Sequence, residues 1–341
     1  MSTRNYDEVY GRPFAKYSSD LFKKFIEPFQ IRLSRNEISA TELFSGKDVL
    51  DAGCGGGRGS ALVMREQPRS LTSVDISAVN VASTGARIGS MFPAANFTCL
   101  QGDLQDIFLK NKSVDTIWFS GVLQHTESPS DVIRELGRVL RPGGKMFIYV
   151  YGAGGVYWRV IKAIRDGLSD VPVETLTSAL QDLNVATDRI AEFLDDWKVD
   201  FLRCYQKDRF EQILVAGGFD VKYLPLGTDY DTSNLRFQGI DSELVGEGDL
   251  RFVVTKSREG DEMSGENRRY LDENTMRENA FPLLDQGLES DFERFLGELT
   301  QASISNPEAE LLKLANLQLM LRDQFLREPS LDWVKELITR R

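Results

Sequence analysis

The sequence predicts an α/β fold, a parallel sheet with helices on both faces. Two observations carry this expectation. Short apolar runs alternate with stretches at helical spacing, and the first run, "KDVLDAG", leads into the glycine-rich turn "CGGGRGS". Strands that alternate with helices form parallel sheets covered on both sides. A strand, a glycine turn and a helix in succession bring backbone close to a ligand, because glycine lacks a Cβ and accepts positive φ.

The elements follow in order. Residues 1–44 read as an N-terminal helical segment, in which Leu21, Phe22, Phe25, Ile26 and Phe29 recur at helical spacing behind a Ser/Asp cap. After the first strand, "SLTSVDIS" is a second, "ANFTCLQGD" a third, "SVDTIWFSG" a fourth and "GKMFIYVYG" a fifth. Between the last two, "PSDVIRELGRVLRPGG" places Val132, Ile133, Leu136, Val139 and Leu140 on one helical face. Arg138 and Arg141 suit the C-terminal end of that helix dipole, and Gly143 and Gly144 stop it.

After Tyr151 the alternation breaks, and 152–205 reads as a helical insertion that could cap an acceptor. The pattern resumes with a helix in "KDRFEQILVAGGF", a strand in "DVKYLPL" and another in "DLRFVVTK", with a long loop at 227–249. The main domain is thus expected over 45–255, with a charged linker at 256–269 and a helical extension at 270–341. In the extension, Phe292, Phe295, Leu296 and Leu299 line one face, and Leu314, Leu317, Leu321 and Phe325 another, ending before Pro329. An appendage packed on the core is expected; an arm for a homodimer is the alternative.

Composition narrows the function classes. The 341 residues are 41% hydrophobic and 27% charged, enough for an ordinary core. A net charge of −11 and a pI near 4.9 disfavour a nucleic-acid partner, which wants a basic groove. Cys54, Cys99 and Cys204 form no disulfide framework, which fits a reduced, cytoplasmic setting. One histidine, His125, and no Cys/His cluster leave no zinc site to expect. Neither a signal peptide nor a membrane span is expected, since no apolar run approaches ~18 residues.

Three ligands compete for the glycine turn. A P-loop needs GxxxxGK[ST], and no Lys-Ser or Lys-Thr follows here. A dinucleotide fingerprint needs a third glycine where this chain has Arg58, or Ser60 in the other register. The third class is a ligand without phosphate, and the acids favour it. Asp51, at the mouth of the turn, would repel a pyrophosphate and suit an ammonium. Asp75 ends the second strand, where an acid takes ribose hydroxyls. Asp103 ends the third, where a carboxylate can accept an adenine amino N–H. Together they describe S-adenosylmethionine.

"VLDAGCGGG", "VDIS", "QGDLQDI", "FSGVLQHT" and "LRPGGKMFIYVY" resemble, in order and spacing, the motifs of class I S-adenosylmethionine-dependent methyltransferases. The likeness covers roughly 45–255 and is nearest to the small-molecule branch that includes ubiquinone/menaquinone-type enzymes. The resemblance implies a Rossmann-like sheet of seven strands, mostly parallel, whose last strand runs antiparallel. It implies that Gly53, Gly55 and Gly57, with Cys54 among them, shape the loop under the methionine moiety, near whose amino group Asp51 sits. Asp75, beside Ile76, would hold the ribose. Asp103 and Leu104 would flank the adenine, and Ser120 and Gly121 would edge the crevice.

Methyl transfer from a sulfonium is an in-line displacement, so alignment and water exclusion are much of what a protein supplies. A hydroxyl acceptor wants a general base as well. His125, after strand four, could be that base or could hydrogen-bond a loop or the acceptor. Tyr6, Tyr10 and Tyr17 could fold over the cofactor as a lid or simply pack. Trp158, Trp197 and Tyr205 could wall an acceptor pocket, with Arg159 or Asp196 setting its polarity, or could be core residues. Asp229 and Asp231 would favour a cationic acceptor if their loop reaches the pocket, and are solvated otherwise. The expected activity is therefore methylation of O or N on a small metabolite in biosynthesis. The alternatives are an NAD-type oxidoreductase and a non-catalytic assembly protein on the same fold.

Overall fold

The computed structural model describes residues 6–15, 19–24, 26–228, 231, 242–260, 262–273, 286–305, 307–327 and 331–339. The seven strands are β1 (Asp48–Ala52), β2 (Ser70–Asp75), β3 (Phe97–Gln101), β4 (Val114–Ser120), β5 (Leu140–Tyr151), β6 (Phe219–Tyr223) and β7 (Asp249–Lys256). They form one sheet in the order β3-β2-β1-β4-β5-β7-β6. β7 runs antiparallel to both its neighbours, and every other pairing is parallel. The α/β fold, its seven strands and the reversed last strand are those anticipated from the sequence.

Strand order reverses between β1 and β4, so a crevice opens beyond the carboxyl ends of these strands. Alternation along the central strands assigns their faces. Leu50 and Ala52 pack with Ile117, Phe119 and Ile148 on one face. Val49 packs with Leu71, Trp118 and Phe147 on the other. With a side-chain period of two, Asp51, Ser73 and Asp75 fall on the second face, where the buried row turns polar as it reaches the crevice.

The helices that matter for the site are α1 (Glu27–Arg35), α2 (Arg58–Arg65), α3 (Ala78–Met91) and α4 (Pro129–Val139). The insertion supplies α5 (Gly155–Gly167), α6 (Val173–Asp182) and α7 (Thr187–Trp197); α8 (Lys207–Ala216) and α9 (Gly265–Glu273) flank the last two strands. The extension forms α10 (Gln286–Ser305), α11 (Pro307–Arg327) and α12 (Leu331–Thr339).

Insertion and extension share one apolar core. Val160, Ile164, Leu180 and Phe193 of the first pack with Phe292, Leu296, Leu314 and Leu321 of the second. Each such side chain, fully buried, contributes about 1.5–3 kcal/mol. Gly167 permits the close crossing: a Cβ there would lie 2.4 Å from Ser303 Cβ on α10. A buried polar seam specifies the register of this packing. Trp197 Nε1 donates to Gln318 Oε1 at 2.6 Å, while Gln318 Nε2 donates to Asp196 Oδ2 at 2.5 Å and to the Tyr157 hydroxyl at 3.1 Å. The Arg159 guanidinium stands 4.7 Å over the Phe292 ring and pairs with Glu289 and Glu293.

Of the segment 256–269, Lys256 belongs to β7 and 265–269 to α9. That helix docks firmly, since the Asp272 carboxylate accepts from Ser130 N at 2.8 Å and Ser130 Oγ at 2.6 Å in the first turn of α4. Tyr17, Phe25 and Asp229, and the side chains of Tyr10, Leu21 and Phe325, lie outside the described residues.

Candidate active site

A cavity of about 350 Å³ occupies the crevice at the ends of β1, β2 and β4. Its floor is the glycine turn. Gly53 N and Cys54 N both donate to Val74 O, at 2.8 and 3.0 Å, which bends the chain sharply off β1. Gly53, Gly55 and Gly57 have φ of +74°, +49° and +88°, a region closed to most side chains. Their surroundings differ. A Cβ on Gly53 would strike Val122 at 2.5 Å, and one on Gly57 would strike Thr84 at 2.9 Å, so these two serve packing. A Cβ on Gly55 would project into open space; Gly53 and Gly55 both line the cavity, and Gly57 does not.

Asp51 is almost fully buried, and its Oδ2 accepts from Ser60 Oγ at 2.6 Å. Ser60 in turn meets Ser73 Oγ at 2.9 Å. Burial pushes the Asp51 carboxyl up to about 7, with the nearby Asp75 adding to the rise and Ser60 opposing it. A cation brought into the cavity would relieve that penalty, because an opposite charge favours the ionised form.

Asp75 organises the wall. Its Oδ2 accepts from Gly55 N at 2.8 Å, and its Oδ1 accepts from Ser77 N at 2.9 Å and Asn80 Nδ2 at 3.2 Å. Burial raises its carboxyl too, against those donors. The Asn80 side chain, whose amide donates to Asp75, lines the cavity with its Oδ1 buried and without a hydrogen-bond partner among the described residues. A buried carbonyl oxygen of this kind calls for a donor from a bound molecule or a water. Cys54 is held as a thiol, raised well above its ordinary value by a hydrogen bond with Cys99 and by burial.

Asp103 and Leu104 line the third side with Ile76, but Asp103 is exposed and its oxygens already accept from Gln105 N at 2.9 Å and Gln105 Nε2 at 3.0 Å. Ser120 and Gly121 edge the cavity at the end of β4, where Gly121 N donates to Tyr149 O at 3.0 Å. Tyr6 closes it from the N-terminal segment.

The far end is aromatic and charged. His125 projects from a short turn after β4, and its side chain is only 7% exposed. Its Nδ1 lies 3.1 Å from Phe201 O, and its Nε2 lies 3.8 Å from Asp195 Oδ1. The Tyr151 hydroxyl donates to Asp195 Oδ2 at 3.3 Å, and the Tyr149 hydroxyl to Asp249 Oδ1 at 2.7 Å. Burial lowers the His125 pKa; Asp195 and the Phe201 carbonyl oppose this, and the Arg165 and Arg203 charges reinforce it. The imidazole is therefore neutral at neutral pH. Trp118, stacked 4.2 Å from Phe147, forms the base of this end, with Phe29 edge-on at 5.3 Å.

Arg32 and Arg58 add two cations to the wall, each guanidinium within 6 Å of the Phe29 ring, at 5.8 and 5.9 Å. Arg32 is fixed from behind by a two-pronged pair with Asp231, at 2.8 and 2.6 Å, and Asp231 also meets Arg251 at 3.1 Å. These arginines hold the Asp231 carboxyl down at about 2. Asp231 is thus committed to an internal ion pair, not displayed to a cationic acceptor.

The structure separates the aromatic residues expected in the acceptor wall. Trp158 stands behind the wall, stacked 4.9 Å from Tyr151. Trp197 is buried between Phe193, at 4.8 Å, and Gln318. Tyr205 is fully buried against Phe210 and Tyr270 under the sheet. Neither Trp197 nor Tyr205 lines the cavity, because each fills space between packed elements. Phe29, Arg32, Arg58, Asn80, Tyr149, Tyr151 and Asp195 do line it and were not expected there from the sequence. Tyr149 and Tyr151 carried a signal, since they alternate at the end of β5 beside the crevice.

Among the described residues no group of His, Cys, Asp and Glu converges as a metal-ligand set, and no helix is long and apolar enough to cross a membrane.

Residues 50–148 match a family model described as a methyltransferase domain. A relative from Mycolicibacterium smegmatis, with S-adenosylmethionine-dependent methyltransferase in its name, is 33% identical over 30% of this chain and 38% of its own length. A malonyl-[acyl-carrier protein] O-methyltransferase of Enterobacter lignolyticus is 31% identical over 40% of this chain and 53% of its own. A ubiquinone biosynthesis O-methyltransferase of Vibrio parahaemolyticus is 27% identical over 44% and 66%, respectively. The chain thus spans about half or less of the first two relatives. The cavity's floor and most of its wall fall within the matched residues; Tyr6, Phe29, Arg32, Tyr149, Tyr151 and Asp195 fall outside them.

Proposed function

We propose that this chain, which carries a methyltransferase domain, transfers the methyl group of S-adenosylmethionine to an oxygen of a small acceptor. The residues fit that cofactor. Asp51 offers a buried carboxylate to an ammonium, Gly55 offers bare backbone, and Asn80 Oδ1 is a buried acceptor that a ribose or amino donor would satisfy. The cofactor would supply an electrophilic methyl group on a sulfonium. The chain's own residues would orient the acceptor, exclude water and take up a proton.

One observation carries the reading: a single cavity joins the Asp51–Gly55–Asp75 end to the His125–Tyr151–Asp195 end. A neutral imidazole with a carboxylate beside it is the equipment for an acceptor that must lose a proton, such as a hydroxyl. An amine needs only to be neutral and aligned. The second end is walled by Trp118, Phe29, Tyr149 and Tyr151, which suits a small, partly apolar or aromatic molecule. The two O-methyltransferase relatives support the choice of oxygen, and the one that acts in ubiquinone biosynthesis supports the quinone-precursor branch.

Calorimetric titration tests the cofactor. S-adenosylhomocysteine is expected to bind in the micromolar range, with no heat from NADH; the reverse result would overturn the proposal in favour of an oxidoreductase. Incubation of a small-molecule extract with methyl-labelled S-adenosylmethionine tests the acceptor atom by mass spectrometry. Labelled methoxy or ester products are expected, and labelled amines alone would refute oxygen as the target. His125→Ala should cut turnover far more than it weakens cofactor binding, whereas normal turnover would remove His125 from the reaction.

A further inference from the structure

We propose that Asp195, contributed by the insertion, is the positioning residue for His125, and that the two work as one proton-accepting pair. The inference rests on the methyltransferase reading for its reaction and on the cavity's far end for its geometry. A backbone carbonyl can only accept, so the 3.1 Å approach of His125 Nδ1 to Phe201 O puts the ring hydrogen on Nδ1. That tautomer leaves a lone pair on Nε2. Asp195 Oδ1, 3.8 Å from Nε2, stands on the side to which the lone pair points. The Tyr151 hydroxyl holds the other carboxylate oxygen at 3.3 Å, and the Tyr151 ring meets the imidazole edge-on at 5.6 Å. Phe201 and Asp195 both belong to the insertion, so the domain supplies the base and the insertion supplies what orients it.

When the imidazole is neutral, Nε2 and Asp195 Oδ1 are two acceptors facing each other. A hydroxyl entering beside them can donate to Nε2. Its O–H bond would break, the proton forming an Nε2–H bond and the electron pair left on oxygen forming the new bond to the methyl carbon. The methyl–sulfur bond of the cofactor would break with its pair going to sulfur, which leaves as the neutral thioether. The imidazolium so formed has its positive charge next to Asp195, which stabilises it; water takes the proton afterwards. The other charges around the ring are those of Arg165 on α5 and of Arg203 after α7, both of which oppose the imidazolium, so Asp195 is what makes proton uptake affordable. The far side of α7 is clamped by the extension, through Asp196 and Trp197 on Gln318, which fixes where Asp195 points.

His125 is the chain's single histidine, so a ring NMR titration reads it without assignment and needs no acceptor. The wild type should show the Nδ1–H tautomer near neutral pH. Asp195→Asn should lower the His125 pKa by about one unit, as expected for loss of a nearby opposite charge. Asp195→Glu, which keeps the charge, should restore most of that shift. S-adenosylhomocysteine should bind both variants within about two-fold of wild type, since Asp195 lies at the acceptor end. An Nε2–H tautomer, an unmoved pKa in Asp195→Asn, or a failure of Asp195→Glu to recover it would overturn the pairing. Failure of the wild type to bind S-adenosylhomocysteine would instead overturn the methyltransferase reading, whatever the titration shows.

Discussion

Replacing Asp51 with asparagine should make the free protein more stable and its cofactor binding weaker. Burial holds this carboxyl at about 7 against 3.8 for an ordinary one. Three units at about 1.4 kcal/mol each amount to a folding cost on the order of 4 kcal/mol once the group is ionised. The folded-state pKa lies above the unfolded value, so folding takes up a proton between them. The cost is therefore absent below about pH 4, grows through the interval, and is complete above about pH 7. Asparagine preserves the shape and can still accept from Ser60 Oγ, but it cannot ionise. Urea unfolding followed by circular dichroism should find Asp51→Asn more stable by about 2–4 kcal/mol near pH 8, with the gap shrinking to about 1 kcal/mol near pH 4.5. S-adenosylhomocysteine should bind the variant at least about ten-fold more weakly, since about 1.4 kcal/mol of charge attraction corresponds to that factor. A variant less stable at pH 8, or a gap that does not change with pH, would refute the argument that Asp51 is a desolvated carboxylate waiting for a cation.

Asp75→Ala strips the acceptor from Gly55 N, Ser77 N and Asn80, and calorimetry should show S-adenosylhomocysteine affinity falling by about 100-fold or more; a loss under three-fold would mean the loop holds its shape without it. Gln318→Leu leaves Trp197 Nε1 without its acceptor and removes one donor from Asp196, which keeps the Tyr157 hydroxyl at 2.9 Å, so denaturation should show a loss of about 1–3 kcal/mol, and a change within about 0.5 kcal/mol would deny the seam a structural role. Asp231→Asn should cost about 2 kcal/mol at neutral pH, because Arg32 and Arg251 depress the carboxyl to about 2. That stabilisation is complete above about pH 4 and lost as pH falls toward 2, so variant and wild type should converge in acid; an equal gap at both ends of the range would point to packing rather than charge.

The glycine-turn end of the cavity was legible because it is local. A strand end, a turn and a helix start fix Asp51, Gly55 and Asp75 within a few residues of the backbone that positions them, and the β-strand period assigns their face. Even there the reading was incomplete. Three glycines look alike in sequence, yet Gly53 and Gly57 make room for Val122 and Thr84, while Gly55 has open space where a Cβ would stand. Asp103 lies two residues beyond the end of β3 rather than on it, and Gln105 holds both its oxygens. The acceptor end was less legible because its residues come from α1, β5 and the insertion, which only folding brings together. Asp195 and Asp196 show why. Adjacent helix positions point about 100° apart, so one of the pair faces His125 and the other faces Gln318. Which does which depends on the rotation of α7 against its neighbours.

By itself, the sequence determined the α/β layering and the strand ends at Asp51 and Asp75 that carry acids, because hydrophobic period and turn chemistry act over short stretches of chain. Tertiary structure alone decided that Trp197 and Tyr205 fill cores, that Asp231 is tied to Arg32 and Arg251, and that Asp195 stands beside His125. Those outcomes depend on how elements far apart in sequence rotate and dock, and a large aromatic or a carboxylate carries no local mark of the neighbour it will meet.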